Sequence, residues 1–257
     1  FICIYLIVAG LPAVLEIGIT DFLFGTEWAG KQGQFGILPF ILTSVAGTAG
    51  AVLVGVPVGI LTAMFLAKVA PPKAARVIRT AVELLAGIPS IVYGLVGMIV
   101  LVPAIQRTFQ LASGATLLAA IVVLAVMILP SIINVAETAL QAVPREYEEA
   151  SLALGATHIE TIFRISLPAA RSGVATAVVL GVGRAIGEAM AVMMVAGNSP
   201  NMPDSLFRSV TFLTTAIAKE MSYAGGLQRQ ALFSIALVLF VFIMIINVVL
   251  NVVLKGG

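Results

Sequence analysis

Long apolar blocks, rather than strict alternation or a one-sided stripe, organise this chain. They cover residues 1–20, 37–67, 84–105, 111–133, 172–196 and 231–254, and the segments between them carry most of the charge. At about 1.5 Å per helical residue, some twenty residues cross the roughly 30 Å hydrocarbon core of a bilayer. The pattern therefore predicts six transmembrane helices. A transmembrane β-barrel is disfavoured, because its strands alternate apolar and polar positions over about ten residues. The second block is longer than a perpendicular crossing needs, which predicts tilt or a break near Gly55 and Pro57. The expected fold class is an all-α polytopic bundle, a single membrane domain over residues 1–257.

The charged segments sort into two sides. Residues 68–83 carry Lys68, Lys73, Arg76 and Arg79, residues 134–171 carry Arg145, Arg164 and Arg171, and Lys255 joins them. Lys31, Arg107, Arg208, Lys219 and Arg229 fall on the other side. The basic excess makes the first side cytoplasmic. The chain opens on Phe1 inside an apolar stretch, which reads as the remains of a first span with the natural amino terminus missing.

Composition agrees with the pattern: 60% hydrophobic, 10% charged, mean hydropathy +1.13. Such a chain has far more apolar surface than a soluble core could hide. A net charge of +2 without a long basic run gives no reason to expect nucleic acid as a partner. Cys3 and His158 are the lone residues of their kinds, so neither a disulfide within the chain, a thiolate metal site nor a histidine-based triad can be assembled. Nothing matches the G-x-x-x-x-G-K-[ST] phosphate-binding loop.

The fifth block raises the sharpest question. From Ser172 to Ala196 only Arg184 and Glu188 are charged, with Arg184 near the middle. An ionisable side chain at the bilayer midplane costs from about 2.5 kcal/mol upwards unless it faces protein or water. Residues four apart share one helix face, so the two can pair, although basic before acidic is the less favourable order. Gly183 and Gly187 form a small-residue surface, with Gly181, Ala185 and Ala189 around it, that lets another helix approach closely. Two readings stand side by side: a residue pair on a translocation path, and a buried ion pair that fixes helix register. Intramembrane charge favours the first.

The segment PREYEEASLALGATHIETIFRISLP, residues 144–168, is too polar to span. Pro144 suits a first helical position, and Glu146, Glu148 and Glu149 place negative charge in the first turns, where the helix dipole favours it. Gly155 can end that helix in a left-handed cap. Thr157 followed by Glu160 reads as a capping box opening a second short helix that stops at Pro168. The expectation is a helix, a glycine turn and a second helix. From composition alone, an ordinary amphipathic loop lying on the bilayer or on its own helices is an equal alternative.

Spacing separates the two. Glu149, Ala150, Gly155, Ile165, Leu167 and Pro168 resemble the EAA loop of ABC importer permeases, with Ser151 where a second alanine is usual. In that family the loop is cytoplasmic and its short helix docks in a groove of the ATP-binding subunit. The resemblance implies a coupling role for Glu149, Ala150, Ser151, Gly155, Ile165, Leu167 and Pro168. ELLAGIPSIVYGLVG, residues 83–97, looks like the third-span signature of phosphate-specific (Pst) permeases. GRAIGEAMAV, residues 183–192, resembles the fifth-span signature of their PstC type, with Ala189 where threonine is common. The partner type, PstA, tends to carry A-R-A-x-G-E-T-A-P there, and molybdate and sulfate permeases follow R-A-x-G-E with F-G-A. A PstA-like subunit and a permease for another oxyanion remain the alternatives.

The resemblance implies a type I ABC importer permease in the bacterial cytoplasmic membrane, with the loop 134–171 and the C-terminus cytoplasmic. It implies a PstA-like permease partner, two ATP-binding subunits that use ATP and magnesium, and an extracytoplasmic phosphate-binding protein. The chain itself is expected to bind no cofactor or metal. Guanidinium holds a tetrahedral oxyanion through two parallel hydrogen bonds and keeps its charge at any relevant pH, which suits Arg184 to phosphate, with Glu188 holding or releasing it. Glu83 reads as a boundary or packing residue, and Pro89 with Ser90 as a kink whose hydroxyl serves packing first and the path second. Asn134, Asn198, Asn247 and Asn251 can bridge helices, Trp28 and Tyr223 read as interfacial anchors, and Met190, Met193 and Met194 as packing. An intramembrane protease lacks a histidine in the membrane, a passive channel has no use for a docking helix, and a scaffold leaves Arg184 unexplained.

Overall fold

Apolar blocks become helices because a backbone in hydrocarbon must satisfy its own hydrogen bonds. A computed structural model describes residues 2–255. Phe1, where the first block was expected to start, lies outside the described residues, as do the side chains of Cys3, Lys31, Asn251 and Lys255. Helix α1 (Ile2–Ile17) meets α2 (Ile19–Phe24) at Gly18, whose φ is +96°. A small hairpin follows, β1 (Trp28–Ala29) antiparallel to β2 (Gln34–Phe35), which the all-helical expectation did not include. Then come α3 (Leu38–Lys68), α4 (Pro72–Gly87), α5 (Ser90–Thr108), α6 (Leu117–Gln141), α7 (Arg145–Ala153) and α8 (His158–Ala169). The last four are α9 (Arg171–Gly187), α10 (Met190–Val195), α11 (Leu213–Glu220) and α12 (Gly226–Lys255).

Among the described residues, α3, α5, α6 and the Gly226–Leu250 part of α12 are each long and apolar enough to cross a membrane. Helices α8 and α9, bent by 75° at their junction, make a fifth if taken as one span. The apolar part of the first block is a shorter helix, Ile4–Ile17, so six full-length crossings are not all present as single helices.

Four boundaries differ from expectation, each for a local reason. Helix α3 runs unbroken for 31 residues through Gly55 and Pro57, so of the expected tilt or break the break is absent. Gly55 instead gives room: a Cβ there would lie 2.7 Å from Ile128 Cδ1. The third span starts at Ser90 rather than 84. Pro89 has no N–H and holds Ile88 extended (ψ 127°), which ends α4 as a separate amphipathic helix. The fourth block begins at Leu117, where Thr116 Oγ1 accepts the Ala119 N–H, and continues to Gln141, so Asn134 and Glu137 are helical rather than in a loop. The fifth block breaks after Gly187, where Glu188 turns its carboxylate onto the Ala191 N–H at 3.0 Å and replaces a helical bond with a cap.

The chain forms two compact units. The first comprises residues up to Ala51, Pro89–Leu124 and Ile186–Ile245. A buried cluster in it sets Phe22, Phe35, Ile37 and Phe40 against Leu213 and Ala216 of α11 and Ala231, Leu232 and Ile235 of α12. Trp28 joins it, with rings 5.5 Å from both Phe35 and Phe40, and its Nε1–H donates to the Glu220 carboxylate at 3.1 Å. It is a packed residue here, whereas Tyr223 is 65% exposed.

The second unit comprises Val52–Ile88, Ala125–Ala185 and the residues from Ile246 onward. Ile128, Ile132, Ala136 and Leu140 recur every four residues along α6 and are fully buried against Ala63 and Met64 of α3, and Ala177 and Ala185 of α9. Ile132 is held between two glycines: a Cβ on Gly59 or on Gly181 would stand 2.7 Å from it. Such small residues let helices close on one another where no hydrophobic effect drives them together.

Candidate functional site

Two places carry the residues singled out in the sequence. The first lies on α9. Arg184 is half-buried, and its Nη1–H donates to Ser131 Oγ of α6 at 3.3 Å. The helix that would stack Arg184 against Glu188 ends at Gly187, so the expected pairing of residues four apart on one face is not formed. Glu188 has two other partners: its carboxylate takes the Ala191 N–H, and its carbonyl accepts the Thr214 hydroxyl at 2.9 Å. Gly183 and Gly187 face open space, since a Cβ on either would meet nothing within 4 Å. Among the described residues no helix packs against either glycine. A guanidinium whose partner among the described residues is one hydroxyl thus sits on α9, next to Gly183 and the open space beside it.

The second place is the hairpin of α7 and α8. Helix α7 starts at Arg145 with Pro144 as its cap residue, and Glu146 and Glu148 stand in its first turn. Gly155 takes the left-handed conformation (φ +87°) that ends it. Thr157 and Glu160 form the expected capping box: the Thr157 hydroxyl accepts the Glu160 N–H at 3.3 Å, and the Glu160 carboxylate accepts the Thr157 N–H at 2.9 Å. The Thr157 N–H, and then its hydroxyl, hold the Glu160 carboxyl below its ordinary range. Pro168 does not stop the second helix. A wide π turn at Ile162–Ser166 absorbs the missing N–H, and the helix reaches Ala169 before it bends.

No residue of α7 is buried. Glu149, Ala150, Gly155 and Pro168 are exposed, and Ser151, Ile165 and Leu167 are half-buried. Leu154 is 91% exposed, and Tyr147, Leu152, Ile159 and Phe163 also present large apolar surface. An amphipathic loop resting on its own helices would hide these side chains. The hairpin instead offers them, on a frame closed by the Ser151–Thr161 hydroxyl contact at 2.9 Å.

The structure does not gather the remaining candidates. Glu83 is exposed on α4, and Ser90 is half-buried at the start of α5. Sequence reasoning missed Ser131, legible only as a polar residue after Pro130 in an apolar run. It also missed Glu137, buried and paired with Arg79 of α4 at 2.6 Å, and the partners of Lys68 described below.

Residues 55–255 match the family described as binding-protein-dependent transport system inner membrane component. The chain belongs to that family. The permease is 41% identical over 256 residues to a probable ABC transporter permease protein, YqgH, of Bacillus subtilis, covering 96% of this chain and 83% of that one. It is 38% identical over 261 residues to the phosphate transport system permease protein PstC of Haemophilus influenzae (93% and 82% covered). It is 36% identical over 279 residues to that of Pasteurella multocida (98% and 86% covered). The permease also superimposes on a chain of the inward-facing MetNI methionine ABC transporter with a TM-score of 0.69, at 20% identity, over 86% of this chain and 95% of that one. At that identity the likeness speaks for the fold, a type I ABC importer permease.

Proposed function

We propose that this permease is the PstC-type subunit of an ATP-driven phosphate importer and forms half of the path for inorganic phosphate. The observation that carries the reading is Arg184: a guanidinium in an otherwise apolar helix whose hydrogen-bond partner among the described residues is one neutral hydroxyl, Ser131, and whose neighbour Gly183 leaves open space beside the helix. A buried arginine kept only for structure would be neutralised by a carboxylate, and Glu188 is engaged elsewhere. Interrupted helices mark substrate sites in transporters, because freed backbone groups are tolerated where they line a cavity. Relatives named for phosphate transport supply the anion.

In this reading the α7–α8 hairpin is cytoplasmic, as is the C-terminus, and its exposed apolar side chains dock an ATP-binding subunit. ATP and magnesium act in two such subunits, a PstA-like permease completes the path, and an extracytoplasmic binding protein delivers phosphate. Closure of the ATPase pair moves the hairpin and opens the path outward; hydrolysis returns it.

The test is ATP-dependent uptake of labelled phosphate by proteoliposomes holding the complete transporter, with sulfate and molybdate as competitors. Arg184→Gln is expected to abolish uptake with assembly and ATP binding intact, and Arg184→Lys to retain a small part. Full uptake in Arg184→Gln refutes the path role, and uptake of sulfate or molybdate in place of phosphate refutes the substrate.

A further inference from the structure

Lys68, the last residue of α3, grips both arms of the hairpin at once. Its Nζ pairs with Glu148 Oε1 of α7 at 2.5 Å, with side chains only 10% and 19% exposed. The same carboxylate oxygen accepts Ser166 Oγ–H of α8 at 2.8 Å, and Ser166 is fully buried. The backbone carbonyl of Lys68 meets His158 Nε2, at the first residue of α8, at 3.0 Å. A carbonyl can only accept, so His158 carries a proton on Nε2. Side chain and main chain of one residue thus hold both helices of the hairpin, which are tied to each other at Ser151–Thr161 as well as through the Gly155 turn.

None of these four residues belongs to the EAA positions. Glu149, the acidic residue of that pattern, is exposed, while its neighbour Glu148 turns inward, as adjacent residues on a helix must face different ways. Burial works against the Glu148 charge, but the hydrogen bonds from Lys68 and Ser166 and the nearby charges of Lys68 and His158 outweigh it and keep the carboxyl below its ordinary range. Such a pair adds little net stability, because desolvation offsets the Coulomb gain, and an apolar contact would hold the segments as firmly. What it adds is position: a shared acceptor oxygen and a fixed carbonyl allow one arrangement of three segments.

We propose that the Lys68–Glu148–Ser166 knot is the joint through which movement of the docking hairpin enters the membrane helices, with Lys68 as its positioning residue. The inference rests on the hairpin being the ATPase-docking element. Helix α3 suits the task, since it continues from Lys68 without interruption for 31 residues, about 46 Å of rod. The exposed apolar side chains take up the force, and the knot passes it on. Without the knot the hairpin still docks and ATP is still hydrolysed, but α3 no longer follows.

The experiment compares Lys68→Met, Lys68→Arg, the exchange Lys68→Glu with Glu148→Lys, and Leu154→Glu in the complete transporter in proteoliposomes. Retention of the ATPase subunits on purification and phosphate imported per ATP hydrolysed are both read. Lys68→Met is expected to keep the ATPase subunits and their hydrolysis while phosphate per ATP falls about tenfold, the size of an ordinary coupling between sites. Lys68→Arg should stay near the unaltered protein, and the exchange should recover much of the loss. Unchanged phosphate per ATP in Lys68→Met overturns the inference, as does loss of the ATPase subunits from that variant, which would make the knot part of the docking surface. Leu154→Glu separates the two ideas: it should shed the ATPase subunits. If it retains them, the docking reading falls and takes the inference with it.

Discussion

Ile132 offers a steric test of how α9, the helix of Arg184, is seated. An alanine at Gly181 would bring its Cβ to 2.7 Å from Ile132 Cγ1 and 2.8 Å from Cδ1, and Ile132 is backed on its other side by Gly59 at 2.7 Å. Real Cβ contacts do not come so close, and a fully buried side chain confined on both sides has nowhere to turn. Overpacking of this kind costs about 1–3 kcal/mol. Replacing glycine in a helix returns up to about 1 kcal/mol of backbone propensity, so the variant alone underreports the clash. Gly183→Ala supplies the reference, since two residues along the same helix its Cβ meets nothing within 4 Å and only the propensity gain remains. Gly181→Ala should therefore be less stable than Gly183→Ala by about 1–3 kcal/mol. Ile132→Ala removes the obstructing atoms, and in the Gly181→Ala background it should cost less than by itself, with a coupling of similar size. Denaturation of the purified chain in mixed micelles, followed by circular dichroism, reads the four variants and the unaltered protein. Equal stability of the two alanine variants, or strict additivity with Ile132→Ala, refutes the packing argument.

Two further outcomes follow from the charged contacts. Arg79→Met should destabilise the chain by about 2–3 kcal/mol, because it leaves the Glu137 carboxylate, which is 9% exposed, with the Gln141 amide at 2.9 Å but without its cation; the value sits below the usual cost of a broken buried pair because that bond remains and because Arg79 itself is 42% exposed. Adding Glu137→Met should restore most of it in the same assay, and a cost below about 1 kcal/mol for the single change would contradict the pairing. The Glu148 carboxyl lies below its ordinary value of 4.5, so the knot gains from ionisation above that pH and loses the gain only as pH falls through the lowered value. Spin labels at the exposed Val69 and Leu152 should hold one distance from neutral pH to about 5 and spread in stronger acid, whereas Glu148→Gln should show the spread throughout; a distance that changes near neutral pH would refute the assignment.

The hairpin was the most legible part of the chain. Pro144, Gly155, Thr157 and Glu160 act on backbone groups within a few residues of themselves, so the turn and the capping box could be read without knowing what surrounds them. The apolar blocks were legible for a similar reason, since bilayer thickness sets their length before any packing is known. Arg184 announced itself by charge in an apolar run.

Tertiary structure decided the rest. Glu188 had two possible uses, a pair with Arg184 along a continuous helix or a cap on a new one, and each satisfies one carboxylate; the structure has the cap on Ala191, together with the Thr214 hydroxyl, 26 residues away, on the Glu188 carbonyl. Glu137 looked like a loop charge because its partner, Arg79, is 58 residues away. Lys68, Glu148, His158 and Ser166 carry no shared periodicity or motif, and only packing of α3 against the hairpin brings them onto one oxygen and one carbonyl. Hydropathy and capping are local properties that a sequence displays directly, whereas the partner of a buried charge is set by which helices meet.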